Sequence, residues 1–303
     1  MKIKLVIEKY ENNIVNLPFF VFRKKNLKQK GKLGKIIFLV KAYAITLFFK
    51  LFHKNTLCFF MNIFYKLDGK IHWDKEKEVY LKITQDKKIY FPNKYRISGS
   101  MVNHKFELDN LLDSYCLNNF ELNEGDVVVD CGANIGSFHL ALSRYIKNFS
   151  YFGYEPDPYA YKCLQLNLQN SKNTIIVQKA LSNKTSKSEL YVEPNYGDSS
   201  LEKFNSNEKV DVDLISLDDE DFKTIKLLKI DAEGHELGVL QGASKTLKKI
   251  EYICVDMGSE KGVYNENTLP EVTNFLLDND FTIVYFNDVR NTALFNNILF
   301  KTK

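Results

Sequence analysis

Cysteine is scarce in this chain, and its cysteines are not spaced for a bridge or a metal site. The 303 residues contain five cysteines, an odd number, and none of them forms a Cys-x-x-Cys pair. Such spacings would predict disulfides or a zinc site, so their absence argues against both and favours a reducing compartment. Cys131 and Cys254 fall in or beside predicted strands, where we interpret them as small buried thiols. We therefore expect a cytoplasmic protein.

Long uncharged hydrophobic runs are also missing near the N-terminus. Residues 36–67 are apolar and aromatic, but lysines interrupt them, and the run Ala42–Phe49 is far below the roughly 20 residues that span a bilayer. Because Met1–Tyr10 is charged and has no continuous apolar core, we expect no secretory signal there. The sequence thus predicts neither a spanning helix nor a secreted protein.

Acidic residues are rare in the same region. Residues 1–54 hold thirteen Lys or Arg residues against Glu8 and Glu11, a formal charge of +11, so with a total of +4 the remainder carries −7. Two interpretations of the basic, apolar segment 22–66 remain open. It is either a helical cap or homo-oligomer contact, or an amphipathic helix that lies peripherally in an anionic membrane surface. The negative remainder disfavours a phosphate-rich nucleic-acid substrate.

The glycine pattern of dinucleotide-binding proteins, Gly-x-Gly-x-x-Gly, is absent as well. Within Asp126–Gly136, Asp130 stands two positions before Gly132, where that pattern has its first glycine. A carboxylate there would repel a pyrophosphate but suits a ligand that carries an ammonium or a sulfonium group. S-adenosylmethionine has both groups, so we predict it as the cofactor. The structural alternative is an ordinary strand-to-helix connection.

A second acidic residue favours the cofactor interpretation. Glu155 stands nineteen residues after Gly136, at the end of the apolar run Tyr151–Tyr154. A carboxylate at that distance, on the tip of the neighbouring strand, can accept hydrogen bonds from both hydroxyls of a ribose. The glycines at 132 and 136 let the backbone approach a ligand where a Cβ would collide.

From residue 127 onward, short apolar runs alternate with helical stretches, which predicts βαβ units and a mostly parallel sheet. The predicted strands are Val127–Val129, Phe152–Tyr154, Thr174–Val177, Lys226–Ile230, Glu251–Val255, Phe281–Tyr285 and Asn297–Phe300. The predicted helices are Phe106–Phe120, Ser137–Tyr145, Pro158–Asn170, Glu233–Leu247 and Leu269–Leu277. We expect two parts: a basic helical arm with a small hairpin (Val79–Ile83 and Lys88–Phe91) over residues 1–100, and the sheet domain over residues 101–303.

Four acidic residues end predicted strands: Asp130, Glu155, Asp231 and Asp256. Carboxyl ends of parallel strands meet at one edge of a sheet, so we expect these four to converge there.

The third of these residues opens the motif Asp231–Glu236, directly before a predicted helix. Helix capping by Asp231 is the structural alternative. In the functional interpretation, Asp231 or His235 removes a proton from an acceptor hydroxyl that Glu233 orients. A second hypothesis places a divalent cation between Asp231 and Asp256, where it would lower the pKa of that hydroxyl.

Three segments, taken in order, resemble the FkbM-type methyltransferases: Val129–Gly136, Tyr154–Pro158 and Leu228–Ala243. The resemblance covers about residues 100–300 and leaves the N-terminal arm unexplained. It implies a Rossmann-like class I fold in which the last of seven strands is antiparallel. It also implies transfer of a methyl group from S-adenosylmethionine to a hydroxyl of a sugar or glycosylated metabolite, often in polysaccharide biosynthesis.

The resemblance also implies roles for individual residues. Those carried over to the cofactor are Asp130, Gly132 and Gly136 for the methionine portion, Glu155 for the ribose, Lys179 and Ala180 for the adenine, Ser199 in the turn that follows Asn195–Asp198, and Ala133, Asn134, Pro156 and Asp231 for the cofactor as a whole. Asp256 stands where many relatives have a glutamate, which leaves the reach of the shorter side chain in question.

Two other classes of protein compete with this hypothesis. An NAD-dependent oxidoreductase would share the sheet and the ribose acid, but Asp130 and the missing glycine count against it. A non-catalytic membrane-surface scaffold would be expected to have degraded motifs, whereas these are intact.

Overall fold

The structure of the protein is a computed structural model that describes residues 31–64, 68–85, 87–99, 104–192, 199–202, 208–262, 264 and 266–300. These residues form two compact units that divide between Glu107 and Leu108. The predicted domain boundary at residue 100 lies close to this division and stays a prediction. Residues 1–30 and 193–198, which include Met1–Tyr10 and Asn195–Asp198, lie outside the described residues.

The N-terminal unit combines helices with a small antiparallel sheet. Its elements are α1 (Lys32–Leu51), α2 (Lys54–Phe64), β1 (Gly69–Asp74), β2 (Val79–Thr84), β3 (Lys88–Phe91) and α3 (Lys94–Gly99). The predicted hairpin of β2 and β3 is present, and β1 adds a third strand on the other side of β2. Asn62 of α2 bonds to both backbone groups of Ile71, at 2.7 and 2.9 Å, and so satisfies part of the exposed edge of β1.

One buried cation anchors the end of α1 within this unit. The Lys94 Nζ atom donates to the carbonyl oxygens of Phe49 and Lys50, at 2.7 and 3.3 Å. A cation stabilises a helix at this end because the last carbonyl groups have no partner within the helix. Burial lowers the pKa of Lys94. The face of α1 that carries Phe49 is therefore committed to the interior of the unit.

The C-terminal unit begins within α4 and contains most of the strands. Its elements are α4 (His104–Ser114), β4 (Val127–Cys131), α5 (Ser137–Leu142), β5 (Ser150–Tyr154), α6 (Pro158–Leu168), β6 (Thr174–Val177), β7 (Ala180–Leu181), β8 (Ser186–Val192), β9 (Ser199–Ser200), β10 (Glu208–Ile215), β11 (Ile225–Ile230), α7 (Glu236–Gln241), β12 (Ile250–Asp256), β13 (Ser259–Lys261), β14 (Glu266–Asn267), α8 (Leu269–Leu277), β15 (Phe281–Asn287) and β16 (Thr292–Asn297).

A seven-stranded sheet in the order β15-β16-β12-β11-β4-β5-β6 forms the centre of this unit. Strands β12, β11, β4, β5 and β6 run parallel, and β16 is antiparallel to both of its neighbours. Leu227 and Leu228 point to opposite faces of β11 and are both fully buried, so the sheet is covered on both faces. This confirms the predicted Rossmann-like α/β fold, with seven strands and the last one antiparallel.

The position of the last strand was predicted wrongly. It runs over Thr292–Asn297, and the predicted segment Asn297–Phe300 is a 3₁₀ turn after Asn297. Asn296 and Asn297 obscured the strand in the sequence, but their side-chain amides form hydrogen bonds inside the protein. The Asn297 Nδ2 atom donates to the carbonyl oxygens of Leu247 and Ile250, each at 3.0 Å.

The helix predicted over Glu233–Leu247 is shorter in the structure, where α7 begins at Glu236 and ends at Gln241. At Gly242 the backbone packs against the carbonyl group of Ser182, and a Cβ there would lie 1.9 Å from that oxygen. The helices that begin near residues 106, 137 and 158 also end early, whereas α8 has the predicted bounds.

A second, four-stranded sheet in the order β7-β10-β8-β9 lies outside the predicted strands. Strands β8 and β10 contain many charged and hydroxyl residues, which resemble a polar loop in the sequence. Burial is confined to alternate positions such as Leu190 and Val192 on β8. This sheet matters for the site because it carries Ser199 and Ser200.

Candidate functional site

The turn after β4 holds three residues in the left-handed region of backbone conformation. The φ angles are +74° at Gly132, +49° at Asn134 and +87° at Gly136. A Cβ at Gly132 would lie 2.0 Å from the carbonyl oxygen of Asp231, so no other residue fits without moving the backbone. The turn therefore lies against the end of β11.

The same turn is bonded to the end of β5. The backbone N–H groups of Gly132 and Ala133 both donate to the carbonyl oxygen of Tyr154, at 3.0 Å each. The Glu155 carboxylate accepts from the Asn134 N–H at 2.7 Å and from the Asp157 N–H at 2.9 Å. Glu155, which is 6% exposed, thus joins the turn after β4 to the loop after β5.

Strand β9 joins these loops to the third motif. The Ser199 hydroxyl donates to Asp157 Oδ2 at 2.7 Å, and the Ser200 hydroxyl donates to the Glu233 carbonyl oxygen at 2.6 Å. Asp157 also caps α6 by accepting from the Tyr159 N–H at 2.8 Å. The structure thus brings Ser199 to the predicted cofactor loops, because Asp157, its partner, lies two positions after Glu155.

Asp130 is fully buried beside a lysine. Asp130 and Lys229 are direct partners across β4 and β11, and the Nζ atom lies 2.9 Å from the carboxylate. The Tyr151 hydroxyl donates to the second carboxylate oxygen. Burial raises the pKa of Asp130, whereas the Lys229 ammonium opposes that rise. In this structure the cation that Asp130 contacts is Lys229, so its direct contact with a ligand stays a prediction.

Substitution of Lys229 tests this pairing. We expect Lys229→Met to lower the free energy of unfolding by about 3–5 kcal/mol, because it leaves Asp130 buried without its cation. Urea unfolding measures the change. Lys209→Met is the control, since Lys209 pairs with Glu189 on the exposed part of β8 and β10 and surface pairs contribute little. Equal losses in both variants would contradict the argument.

Asp231 lies in a cluster of two carboxylates, a tyrosine and an arginine. The Tyr115 hydroxyl donates to Asp231 Oδ2. The Arg290 guanidinium donates to Tyr115 at 3.0 Å and to Asp256 at 2.7 Å, and it lies 3.5 Å from Asp231. Burial raises the pKa of Asp256, with Asp231 adding to the rise, whereas Arg290 opposes it.

The tyrosine of this cluster is a fixed hydrogen-bond donor. Burial and the Asp231 carboxylate raise the pKa of Tyr115 well above its ordinary value, so its hydroxyl keeps its proton. Two cations face its ring, with Lys229 Nζ at 5.0 Å and the Arg290 guanidinium carbon at 4.9 Å from the centroid. These contacts hold the hydroxyl on Asp231.

Three of the four acidic strand ends, Asp130, Asp231 and Asp256, come together in the structure, with bases between the acids. Lys229 lies between Asp130 and Asp231, and Arg290 lies between Asp231 and Asp256. Arg290 occupies the position at which a divalent cation was predicted. Among the described residues, no group of three or more His, Cys, Asp or Glu side chains could hold a metal ion.

Two other residues of the third motif, His235 and Glu233, bond to residues in or beside the second sheet. The His235 ring contacts the Ser182 hydroxyl at 3.0 Å and the Glu202 carboxylate at 3.4 Å. Glu233 has a φ angle of +49° and its carbonyl group is bonded by Ser200. The ring of His235 is thus engaged toward β7 and β9 rather than by the partners that surround Asp231.

Lys179 and Ala180, predicted for the adenine, lie at the start of the second sheet. Ala180 is buried in β7, which pairs with β10, and Lys179 is half-buried just before it. Pro156 follows Glu155 in the loop after β5 and is half-buried. The contacts of these three residues with a cofactor stay predictions.

Glu236 is a buried carboxyl that folds back onto the turn before α7. Its Oε1 atom accepts from the N–H groups of Ala232 and Gly234, at 3.2 and 2.9 Å. Its Oε2 atom is buried and has no hydrogen-bond partner within the described part of the chain. Burial raises the pKa of Glu236 to about 7.

This shift predicts a pH dependence of stability. Because the folded-state pKa lies above the ordinary value of 4.5, the contribution of Glu236 is fully present below pH 4.5 and is lost as pH rises through about 7. We expect Glu236→Gln to remove about 3 kcal/mol of that dependence. Urea titrations between pH 4.5 and 8 measure it. Glu251→Gln, at a partly exposed ion pair, is the control and should leave the dependence unchanged.

Four residues of the site were not predicted from the sequence: Tyr115, Tyr151, Lys229 and Arg290. Lys229 could have been found, because a lysine inside a doubly covered strand needs a buried partner. Tyr115 directly follows helix α4, and Arg290 lies in the hairpin turn between β15 and β16. Neither segment shows a sequence motif. Only the packing of the chain brings them to Asp231.

The mostly parallel seven-stranded sheet with its antiparallel last strand has the Rossmann-like fold that the resemblance to the FkbM-type methyltransferases implies. The sequence model of the methyltransferase FkbM domain matches residues 130–283, about half of the chain. The chain therefore belongs to the FkbM methyltransferase family and is an enzyme of that class. Tyr115 and Arg290 both lie outside the matched range.

Two curated relatives have names that describe methyltransferases. Methyltransferase sdnD of Sordaria araneosa is 26% identical over 223 residues, which is 61% of this chain and 84% of the relative. Hexuronic acid methyltransferase AglP of Haloferax volcanii is 28% identical over 176 residues, which is 54% of this chain and 72% of the relative.

A solved structure of an FkbM methyltransferase from Methylobacillus flagellatus KT is 18% identical, with a TM-score of 0.45. The comparison covers 67% of this chain and 55% of that protein, so this chain spans little more than half of its length.

Proposed function

We propose that the protein transfers a methyl group from S-adenosylmethionine to a hydroxyl of a sugar or glycosylated metabolite. The observation that carries the proposal is the turn at 132–136. Gly132 and Gly136 leave no room for a Cβ, and Glu155 lies against the turn at the end of the next strand. This is a backbone cradle beside a carboxylate, which suits a nucleoside with a charged tail.

The charge of the site fits such a cofactor. Three carboxylates, Asp130, Asp231 and Asp256, face two bases, Lys229 and Arg290, so the cluster has a formal charge of −1. A negative cluster at the end of β4 and β11 favours an ammonium or sulfonium group and opposes a pyrophosphate. Glu155 follows β5, and in this proposal its carboxylate accepts hydrogen bonds from a ribose.

When bound, S-adenosylmethionine supplies an electrophilic methyl group. The chain must then orient the acceptor hydroxyl and accept its proton. Asp231 is the candidate base, because Tyr115 and Arg290 fix its carboxylate at the carboxyl end of β11. His235 is the weaker candidate, since Ser182 and Glu202 engage both of its ring nitrogens.

The acceptor class is supported by one relative, whose name describes methylation of a hexuronic acid. The formal charge of −7 on residues 55–303 disfavours nucleic acid as the acceptor. We propose a role in glycan biosynthesis on this basis.

The cellular compartment of the protein and its contacts with membranes or with other copies of the chain are also proposals. Five free cysteines, all buried, are consistent with a reducing, cytoplasmic compartment. The alternatives for the basic arm are peripheral contact with a membrane and a role as a helical cap or homo-oligomer contact. Within the described residues, no helix is long and apolar enough to cross a membrane.

Calorimetry and methyl transfer together test the proposal. We expect S-adenosylmethionine and its demethylated product to bind, NAD not to bind, and tritium to pass from labelled S-adenosylmethionine to hexuronate-containing glycans. Activity that survives EDTA would support a side-chain base, whereas loss that is restored by Mg²⁺ would favour the cation hypothesis. Binding of NAD without S-adenosylmethionine would contradict the proposal.

A further inference from the structure

One face of helix α1 carries a row of exposed apolar side chains. The members of this row, the α1 stripe, are Leu33, Ile36, Ile37, Val40, Leu47 and Leu51, and they are 72, 58, 47, 63, 46 and 65% exposed. At about 3.6 residues per turn, these six positions fall within a sector of about 100°. Scattered surface residues would not align in this way along 20 residues of helix.

The opposite face of α1 is already in use within its own unit. Phe49 lies roughly 170° from the centre of the stripe on a regular helix, and it is fully buried. Lys94 bonds the carbonyl groups at this end of the helix. Phe48 lies about 70° from the centre of the stripe, at its border, and packs on Phe60 of α2 with ring centroids 5.1 Å apart. The α1 stripe is therefore exposed, while the face of α1 that carries Phe49 is packed within its own unit.

The segment of sequence that contains the stripe has charges of one sign. Residues 12–67 contain eleven Lys or Arg residues and no Asp or Glu. Lys32 and Lys50 are exposed, and both lie about 90° from the centre of the stripe. Long basic side chains at the border of an apolar face can extend toward phosphate groups while their stems cover apolar surface. The arrangement is that of a helix lying in a membrane interface.

We propose that the α1 stripe docks on the surface of an anionic lipid membrane. The apolar row would lie at the boundary between headgroups and acyl chains, and the lysines would lie among the anionic headgroups. A second copy of this chain fits the surface less well, because it would bring two acid-free basic segments together. The adjacent helix α2 adds two exposed apolar side chains, Phe59 and Ile63, at 62 and 60%.

Vesicle flotation with the full chain tests the proposal. We expect binding to vesicles of phosphatidylcholine that contain about a third of phosphatidylglycerol, weak binding to phosphatidylcholine alone, and release as salt shortens the range of charge attraction. No methyl donor or acceptor is needed, so failure here leaves the methyl-transfer proposal untouched. Failure of the wild-type protein to float with anionic vesicles would overturn the docking proposal.

Paired variants locate the surface. Ile36→Asp with Val40→Asp places two charges in the stripe and should weaken flotation by about tenfold or more. Leu277→Asp, at an exposed leucine of α8 in the other unit, should change nothing. Lys32→Gln with Lys50→Gln should reduce the preference for anionic lipid, and it tests the surface even if the aspartate variant fails to fold. Circular dichroism checks the fold of each variant.

These variants also distinguish an anionic membrane from a second copy of this chain as the partner of the α1 stripe. If the aspartate variant floats like the wild-type protein but turns a dimer into a monomer in light scattering, the stripe is a contact between copies and the membrane proposal is wrong. Equal loss of flotation in Leu277→Asp would show that the effect is not specific to the stripe and would also overturn it.

Discussion

Asp231→Asn is expected to reduce kcat for methyl transfer by about 10²–10⁴, a larger factor than the loss of affinity for S-adenosylmethionine that follows from removing one negative charge of the cluster. Asparagine keeps the shape of the side chain and can still accept from Tyr115, but it cannot take a proton from the acceptor. Because Asp231 carries the bonds from Tyr115 and Arg290, its orientation does not depend on the acceptor. Single-turnover kinetics separate the chemical step from binding.

The chain offers a matched control for this variant. Asp109 also accepts from a tyrosine, Tyr145 at 2.6 Å, and is paired with an arginine, Arg144. Asp109→Asn removes the same kind of charge from the same kind of cluster, and we expect kcat to stay within about twofold of the wild-type value. His235→Ala extends the comparison. A loss in His235→Ala that equals or exceeds the loss in Asp231→Asn would transfer the role of base to the histidine.

Glu155→Ala is expected to weaken binding of S-adenosylmethionine by about 10²–10³. A carboxylate that accepts hydrogen bonds from two hydroxyl groups contributes roughly 1.5–3 kcal/mol of binding free energy for each bond. The alanine variant also leaves the Asn134 and Asp157 N–H groups without their acceptor. Calorimetry measures the affinity. The shift of the unfolding midpoint by the demethylated cofactor gives a second measurement, since ligand binding stabilises only the folded state.

Two further variants decide whether the effect belongs to the carboxylate. Glu155→Gln keeps an acceptor of the same size and should lose less affinity than the alanine variant. Glu251→Ala, at the start of β12 and paired with Lys226, should bind the cofactor like the wild-type protein. If Glu155→Ala binds normally and is only less stable, Glu155 serves to join the two loops, and its proposed contact with the ribose is wrong.

The central sheet was predictable because its strands are buried on both faces. A strand such as β4, in which four of the five residues are apolar, follows this rule, and such runs stand out from the helices between them. The second sheet was not predictable on the same grounds. Strand β10 is Glu208–Ile215 and buries only alternate side chains, so its charged residues conceal it. The last strand was misplaced for a similar reason, since Asn297 is polar but buried by its bonds to two carbonyl groups.

The candidate site divides in the same way. Glycines with positive φ and acids at strand ends are local features, so Gly132, Gly136, Glu155 and Asp231 could be selected from spacing alone. Arg290 could not be selected, because its role comes from a hairpin turn that ends beside β12 and brings the guanidinium to Asp256 and Asp231.

The sequence by itself determined the class of the protein. The order of apolar runs defines the sheet, and the glycine turn with its following acids lies at the carboxyl ends of strands in any such sheet, because parallel strands end at one edge. It also determined that the N-terminal arm is basic.

Only the tertiary structure decided which charges meet and which faces are exposed. Asp130 and Lys229 are 99 positions apart and are neighbours only through the register of β4 and β11. The side of α1 that is buried is set by Lys94 and α2, which leaves the α1 stripe exposed. Charge pairing and burial are long-range properties, since both depend on which distant segments the folded chain brings together.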